Sequence, residues 1–98
     1  MIDTIRQKVP QEELLAQLAE EASELAQAAL KLRRVYSGVN PTPVTRREAF
    51  ANLLEEIADV RLLVLVLGLD TPFYRIDCER TMEAKLSRWV SRLEEVRP

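Results

Sequence analysis

The stretch IADVRLLVLVLGL, residues 57–69, decides how the rest of the chain folds. Its only polar side chains are Asp59 and Arg61, so a helix built from it is apolar almost all round and is expected to be largely buried. The longest uninterrupted apolar run, residues 62–67, is far shorter than the roughly 20 residues that a membrane-spanning helix needs. We therefore expect a core helix and no membrane partner.

Capping and turn signals on either side of this stretch predict an all-α fold. Thr45 followed by Glu48 is a capping-box signature, which marks the start of a helix. The chain contains two glycines and lacks the alternating pattern of strands, so the remaining sequence also favours helices. We predict an antiparallel helical bundle of three long helices and one short N-terminal helix, at residues 2–9, 11–35, 45–69 and 72–96, with a loop at 37–44.

Apolar residues spaced three and four apart predict which face of each long helix is buried. The predicted core stripes are Leu15, Leu18, Ala22, Leu25, Ala29, Leu32 and Tyr36 on the first long helix, Phe50, Leu53, Ile57, Val60, Val64 and Leu67 on the second, and Cys78, Met82, Leu86, Trp89, Leu93 and Val96 on the last. Glu21 and Glu24 are expected to flank the first stripe.

Length and composition limit the classes of function. The 98 residues suit one domain, 1–98, which alone would bury only roughly two-thirds of its unfolded surface, so we expect a dimer or tetramer. A net charge of −2 argues against binding a nucleic-acid polymer, and the absence of histidine excludes His-ligated zinc and a Ser-His-Asp triad. A single cysteine and an N-terminal stretch without a signal-peptide pattern indicate a cytoplasmic protein.

Two carboxylate pairs remain as candidates for chemistry. Glu21 and Glu24 lie one helical turn apart, and Glu56 and Asp59 repeat this spacing on the most apolar helix. If the two helices are antiparallel neighbours, the four carboxylates converge and offer oxygen-only ligation, which suits Mg²⁺ or Mn²⁺. The alternatives are a solvated acidic face for the first pair and structural salt bridges for the second, for instance from Asp59 to an arginine of the last helix.

The segments AEEASEL, residues 19–25, and LEEIADV, residues 54–60, resemble the ExxE and ExxD motifs of MazG-like nucleoside triphosphate pyrophosphohydrolases. The resemblance implies an all-α fold, assembled as a dimer or higher oligomer, that uses Mg²⁺ to hydrolyse a (d)NTP to the monophosphate and pyrophosphate. By the motif match, the catalytic metal ligands would be Glu21, Glu24, Glu56 and Asp59.

Two other functions stay open. Phosphoribosyl-ATP pyrophosphatases have similar motifs, but Gln17 and Arg61 stand where that family would have a lysine and an aromatic-histidine pair. A non-catalytic helical interaction module would use its apolar stripes to build an oligomer interface.

Cations near the motifs are candidates for binding the phosphates of a nucleotide substrate. Lys31 lies two turns beyond Glu24, while Lys85 and Arg88 flank the stripe of the last helix and could act in the same or a neighbouring subunit. Asn52 is either a base or sugar contact or a surface amide. Glu20 and Glu55, each beside a candidate ligand, are the candidates for a general base.

Overall fold

The described part of the chain, residues 1–38 and 43–95 of a computed structural model, is helical and contains no strand. Its helices are α1 (Ile2–Lys8), α2 (Gln11–Ser37), α3 (Arg46–Val66) and α4 (Pro72–Glu95). They form two compact units, Met1–Gly68 with α1 to α3, and a second that starts at Leu69 and contains α4. The all-α prediction is confirmed. No apolar stretch in the described helices is long enough to cross a membrane.

The start of α2 is as predicted, whereas its C-terminal end comes later because of the residue that caps it. Pro10 has φ −60° and ψ 148°, so it precedes the helix as its N-cap, and Gln11 is the first helical residue. Gly38 ends the helix in a left-handed conformation with φ 68°, and its N–H donates to the carbonyl of Arg34 at 2.9 Å. The helix therefore runs two residues past 35. Residues 39–42 of the predicted loop lie outside the described part.

The start of α3 is as predicted, but its end comes earlier. The side-chain oxygen of Thr45 accepts a hydrogen bond from the backbone N–H of Glu48 at 3.1 Å. At the other end, Gly68 has φ 74° and its N–H donates to the carbonyl of Leu65 at 3.0 Å. This left-handed turn stops the helix at Val66, so the predicted end at residue 69 is wrong even though the apolar sequence continues.

The helices α2 and α3 pack against each other in antiparallel directions. Near the start of α2, Leu14 joins Leu63 and Val66 from the end of α3 in one apolar cluster. At the opposite end, the guanidinium of Arg46 lies 4.4 Å from the ring centroid of Tyr36. We call the contact between the two helices the α2/α3 seam. It fixes which residues of the two acidic motifs face each other.

The face that each helix buries in the seam is shifted around the helix axis relative to the predicted stripe. Its buried residues are Leu14, Ala28 and Leu32 from α2 and Ala49, Leu63 and Val66 from α3. In contrast, the predicted core residues Leu15 and Tyr36 are 50% and 54% exposed. Because α3 is the main neighbour of α2, the buried face is narrow, and it includes the half-buried Glu21. The acidic residue thus lies within the seam rather than beside it.

Large apolar side chains remain exposed on α3 and α4. Leu54, Leu62 and Leu65 are exposed, so the prediction that α3 is largely buried is wrong for its outer face. Every described residue of α4 is exposed, including the predicted core residues Met82 and Trp89, while Val96 lies outside the described part. The physical reason is that α2 covers α3 along one side and that α4 is the only helix in the described part of its unit.

Arg6 joins α1 to the C-terminus of α3. Its Nε donates to the carbonyl of Val66 at 2.8 Å, and its Nη2 donates to the carbonyl of Leu65 at 3.1 Å. Carbonyls in the last turn of a helix lack partners within the helix, and the positive charge also interacts favourably with the helix dipole. Arg6 therefore holds the end of α3 in place.

We expect Arg6→Ala to lower the free energy of unfolding by about 1–2 kcal/mol, because two carbonyls lose a charged donor. The measurement is urea denaturation of the parent and the variant. Lys8→Ala is the matched control, since Lys8 is also a cation in the last turn of α1 but forms no such bond among the described residues. Equal stability of the two variants would contradict this role for Arg6.

Candidate functional site

Three of the four predicted carboxylates meet in the middle of the α2/α3 seam. Glu21 and Glu24 project from α2 one turn apart, and Glu56 faces them from α3. One carboxylate oxygen from each residue lies within 4.8 Å of the other two. The spacing of three residues puts the first two on one face of the helix, and the antiparallel packing brings the third to them.

Two of these carboxylates have an oxygen that is buried and without a partner. Oε2 of Glu21 and Oε2 of Glu56 are shielded from solvent and accept no hydrogen bond from the described residues. Within the described part of the first unit, the one ion pair joins Asp3 and Arg6, so no cation neutralises the cluster. A carboxylate oxygen that is shielded from water without a partner is unfavourable, so these two oxygens do not stabilise the contact between the helices.

The pKa values of the half-buried Glu21 and Glu56 are shifted by this environment. Burial raises the pKa of Glu21 above its ordinary value, and the negative charges of Glu24 and Asp59 raise it further. Burial likewise raises the pKa of Glu56, followed by the charges of Glu24 and Asp59. Both effects act against the ionised form. The site therefore favours any group that supplies positive charge to it.

Asp59 lies at the border of the cluster. It is half-buried, one turn beyond Glu56 on α3, and its charge acts on both Glu21 and Glu56. It does not belong to the group whose oxygens lie within 4.8 Å of one another. The structure thus brings together three of the four predicted ligands and places the fourth beside them.

An open cleft of about 500 Å³ begins at these carboxylates and follows the two helices. Its polar lining consists of Glu24, Gln27, Lys31 and Arg34 from α2, and Asn52 and Glu56 from α3. Ala28 and Leu30 complete the lining. The polar residues of α2 are spaced three, four and three apart, so they share one face of the helix and change along it from acid to amide to cation.

Lys31, one of the predicted phosphate-binding residues, lines this cleft. It is half-buried, and neither its ammonium group nor the guanidinium of Arg34 forms a hydrogen bond or ion pair with the described residues. Asn52 is also half-buried in the lining of the cleft, so it is not a fully exposed surface amide. Both Lys31 and Asn52 are therefore available to a ligand.

Gln27 and Arg34 are cleft residues that the sequence interpretation missed. The signal was present, because both follow Glu24 at helical spacing on the face that carries Lys31. This spacing identifies cleft residues only when it is known which face of α2 packs against Glu56.

The other two predicted phosphate-binding residues belong to the second unit. Lys85 and Arg88 are exposed on α4, where they line a surface depression of about 460 Å³ with Trp89 and Arg92. Their action on a substrate held by the first unit stays a prediction.

Comparison with protein-family models, curated proteins and solved structures gave no match to this chain. The resemblance to MazG-like enzymes stays an expectation based on the two acidic motifs. The structure shows in addition that carboxylate oxygens of Glu21, Glu24 and Glu56 lie close together and that a cleft adjoins them.

The raised pKa values predict an unusual dependence of stability on pH. A carboxyl whose pKa is raised by folding stabilises the fold below its ordinary value, 4.5, and that stability is lost as the pH rises through the raised value. In the presence of a chelator, we expect Glu56→Gln to match the parent below pH 4.5 and to melt at a higher temperature than the parent near neutrality.

Thermal melts of both proteins across this pH range check the prediction. Glu20→Gln is the matched control, because Glu20 is an exposed neighbour of the cluster on α2. A Glu56→Gln variant that melts below the parent near neutrality would show that the Glu56 charge is stabilised by a partner.

Proposed function

We propose that this protein catalyses the Mg²⁺-dependent hydrolysis of a (d)NTP or a related nucleotide to the monophosphate and pyrophosphate. The observation that carries the proposal is the cluster of Glu21, Glu24 and Glu56, in which Glu21 and Glu56 each have one oxygen that is unpartnered in the described part of the chain. The cluster lies beside a cleft that Lys31 and Arg34 line with unpaired positive charge. The ExxE and ExxD motifs, through their resemblance to MazG-like enzymes, supply the reaction class.

The donor set of the cluster fits a hard divalent cation. Carboxylate oxygens are the ligands that Mg²⁺ prefers, with Mn²⁺ as a substitute, and neither thiol nor imidazole belongs to the group. Glu21, Glu24 and Glu56 would hold the ion, with Asp59 beside them as the fourth ligand. When bound, Mg²⁺ neutralises phosphate charge and polarises a phosphoryl oxygen.

The remaining residues of the cleft bind and orient the substrate. Lys31 offers an unpaired positive charge to a phosphate, and Asn52 offers an amide on the facing helix. Glu20 and Glu55 are exposed next to the proposed ligands, and they are the candidates to accept the proton of the attacking water. From the second unit, Lys85 and Arg88 are further candidates for phosphate binding.

We expect the protein to release pyrophosphate, and not orthophosphate, from at least one nucleotide in the presence of Mg²⁺. A screen of the common (d)NTPs and phosphoribosyl-ATP that measures both products is the test. Glu56→Gln should lower turnover by more than about 100-fold because a proposed ligand loses its charge. Glu12→Gln, an exposed change in the first turn of α2, should have little effect. No turnover of any nucleotide with either Mg²⁺ or Mn²⁺ would contradict the proposal.

The second candidate function is a non-catalytic helical interaction module. The exposed apolar residues of α3 and α4 favour it, because apolar surface of this kind marks sites of protein association. Calorimetry with Mg²⁺ separates the two functions. A pure scaffold would bind the ion only weakly, and Glu56→Gln would leave that binding unchanged.

Self-association is proposed for both functions, as a dimer or a tetramer. A chain of this length that leaves Leu54, Leu62 and Trp89 exposed gains stability when a second copy covers them. We expect sedimentation velocity at micromolar concentration to give at least twice the 11.2 kDa mass of the chain. A stable species with the mass of one chain would contradict this expectation, and it would also exclude Lys85 or Arg88 acting from a neighbouring subunit.

A further inference from the structure

The cleft beside the carboxylates has opposite charges at its two ends. Glu24 and Glu56 lie at one end, Gln27 and Asn52 supply neutral amides, and Lys31 and Arg34 supply positive charge. Along α2, Lys31 is about 10 Å and Arg34 about 15 Å from Glu24, at 1.5 Å per residue. A ligand that spans the cleft would therefore present a metal-binding group at one end and negative charge at the other.

The length of the two cationic side chains reduces this separation. All side chains of α2, Glu24 included, lean toward its N-terminus, and Lys31 and Arg34 lie on the C-terminal side of Glu24. Because the side chains of lysine and arginine are longer than that of glutamate, their charged groups can reach further back along α2 than the Glu24 carboxylate does. Neither charged group has a partner among the described residues, so both are free to bind an anion.

The composition of the lining distinguishes a phosphate chain from a nucleoside. Nucleobases are commonly held by stacking on aromatic side chains, whereas the described lining contains no aromatic residue, and only Ala28 and Leu30 are apolar. The planar guanidinium of arginine, in contrast, matches two phosphate oxygens at once. The cleft thus suits a polyphosphate better than a base.

We propose that Arg34, together with Lys31, binds the β- and γ-phosphates that leave as pyrophosphate, so that the nucleoside lies outside this cleft. The proposal rests on the function proposed above. In the reaction, water adds to the α-phosphorus and the bond from this atom to the α,β-bridging oxygen breaks. The electron pair of that bond stays with pyrophosphate, whose charge is held by the two cations, and the proton of the water passes to a carboxylate.

Calorimetry with pyrophosphate, tripolyphosphate and AMP, each in the presence of Mg²⁺, tests the proposal without turnover. We expect Arg34→Gln to weaken the binding of pyrophosphate and tripolyphosphate by about tenfold to a hundredfold and to leave AMP binding unchanged, because one charge-assisted contact is lost. The KM for the nucleotide substrate should rise by a similar factor. Arg34→Lys should recover part of the affinity.

The matched control is Arg33→Gln, which removes the same charge from the next residue of α2, outside the cleft lining. It should leave polyphosphate binding unchanged. Thermal melts and Mg²⁺ calorimetry of both variants check that the fold and the carboxylate cluster are intact.

Three outcomes would overturn the proposal. One is a parent protein that binds neither pyrophosphate nor tripolyphosphate, and the second is an Arg34→Gln variant with the same polyphosphate affinity as the parent. The third is a variant that loses AMP binding instead, which would place the nucleoside in the cleft. If the parent still releases pyrophosphate from a nucleotide in any of these cases, the proposed function stands and only the role of Arg34 fails.

Discussion

The α2/α3 seam is the constraint on which the rest of the first unit depends. Its two ends are apolar, with Leu14 against Leu63 at one end and Ala28 and Ala49 buried toward the other. Glu21 and Glu56 lie between these ends, so the packing that stabilises the helix pair also shields one oxygen of each carboxylate from water. Apolar residues at these two positions would pack without this penalty. The acidic centre therefore opposes the stability of the helix pair.

The register of the seam matters as much as its composition. A slip of one helical turn moves a residue by about 5.4 Å, which is more than the 4.8 Å that now contains the three carboxylate oxygens. Leu14 against Val66 fixes the register at one end, and the contact of Arg46 with Tyr36 fixes it at the other. The site is thus positioned by contacts that lie several turns away from it along both helices.

The sequence predicts the features that depend on neighbours along the chain. The bond from the N–H of Glu48 to Thr45 and the pairing of Glu21 with Glu24 each arise within one helical turn, so local spacing is enough to find them. Local spacing does not determine which face of α2 is buried. Leu14 and Leu15 both begin plausible stripes, and only the surface of α3 decides which of them is buried. Arg34 was missed for the same reason, because its place in the cleft depends on which face is buried.

The two surfaces of α3 explain why its sequence is apolar almost all round. At 100° per residue, Leu54 and Leu65 lie on the side of α3 opposite to Glu56. One side packs on α2 and carries the acidic cluster, while the other exposes Leu54 and Leu65. Because these two sides point in opposite directions, covering the leucines would leave the cleft open. Assembly through the outer face of α3 and binding of a ligand in the cleft are therefore compatible in one molecule.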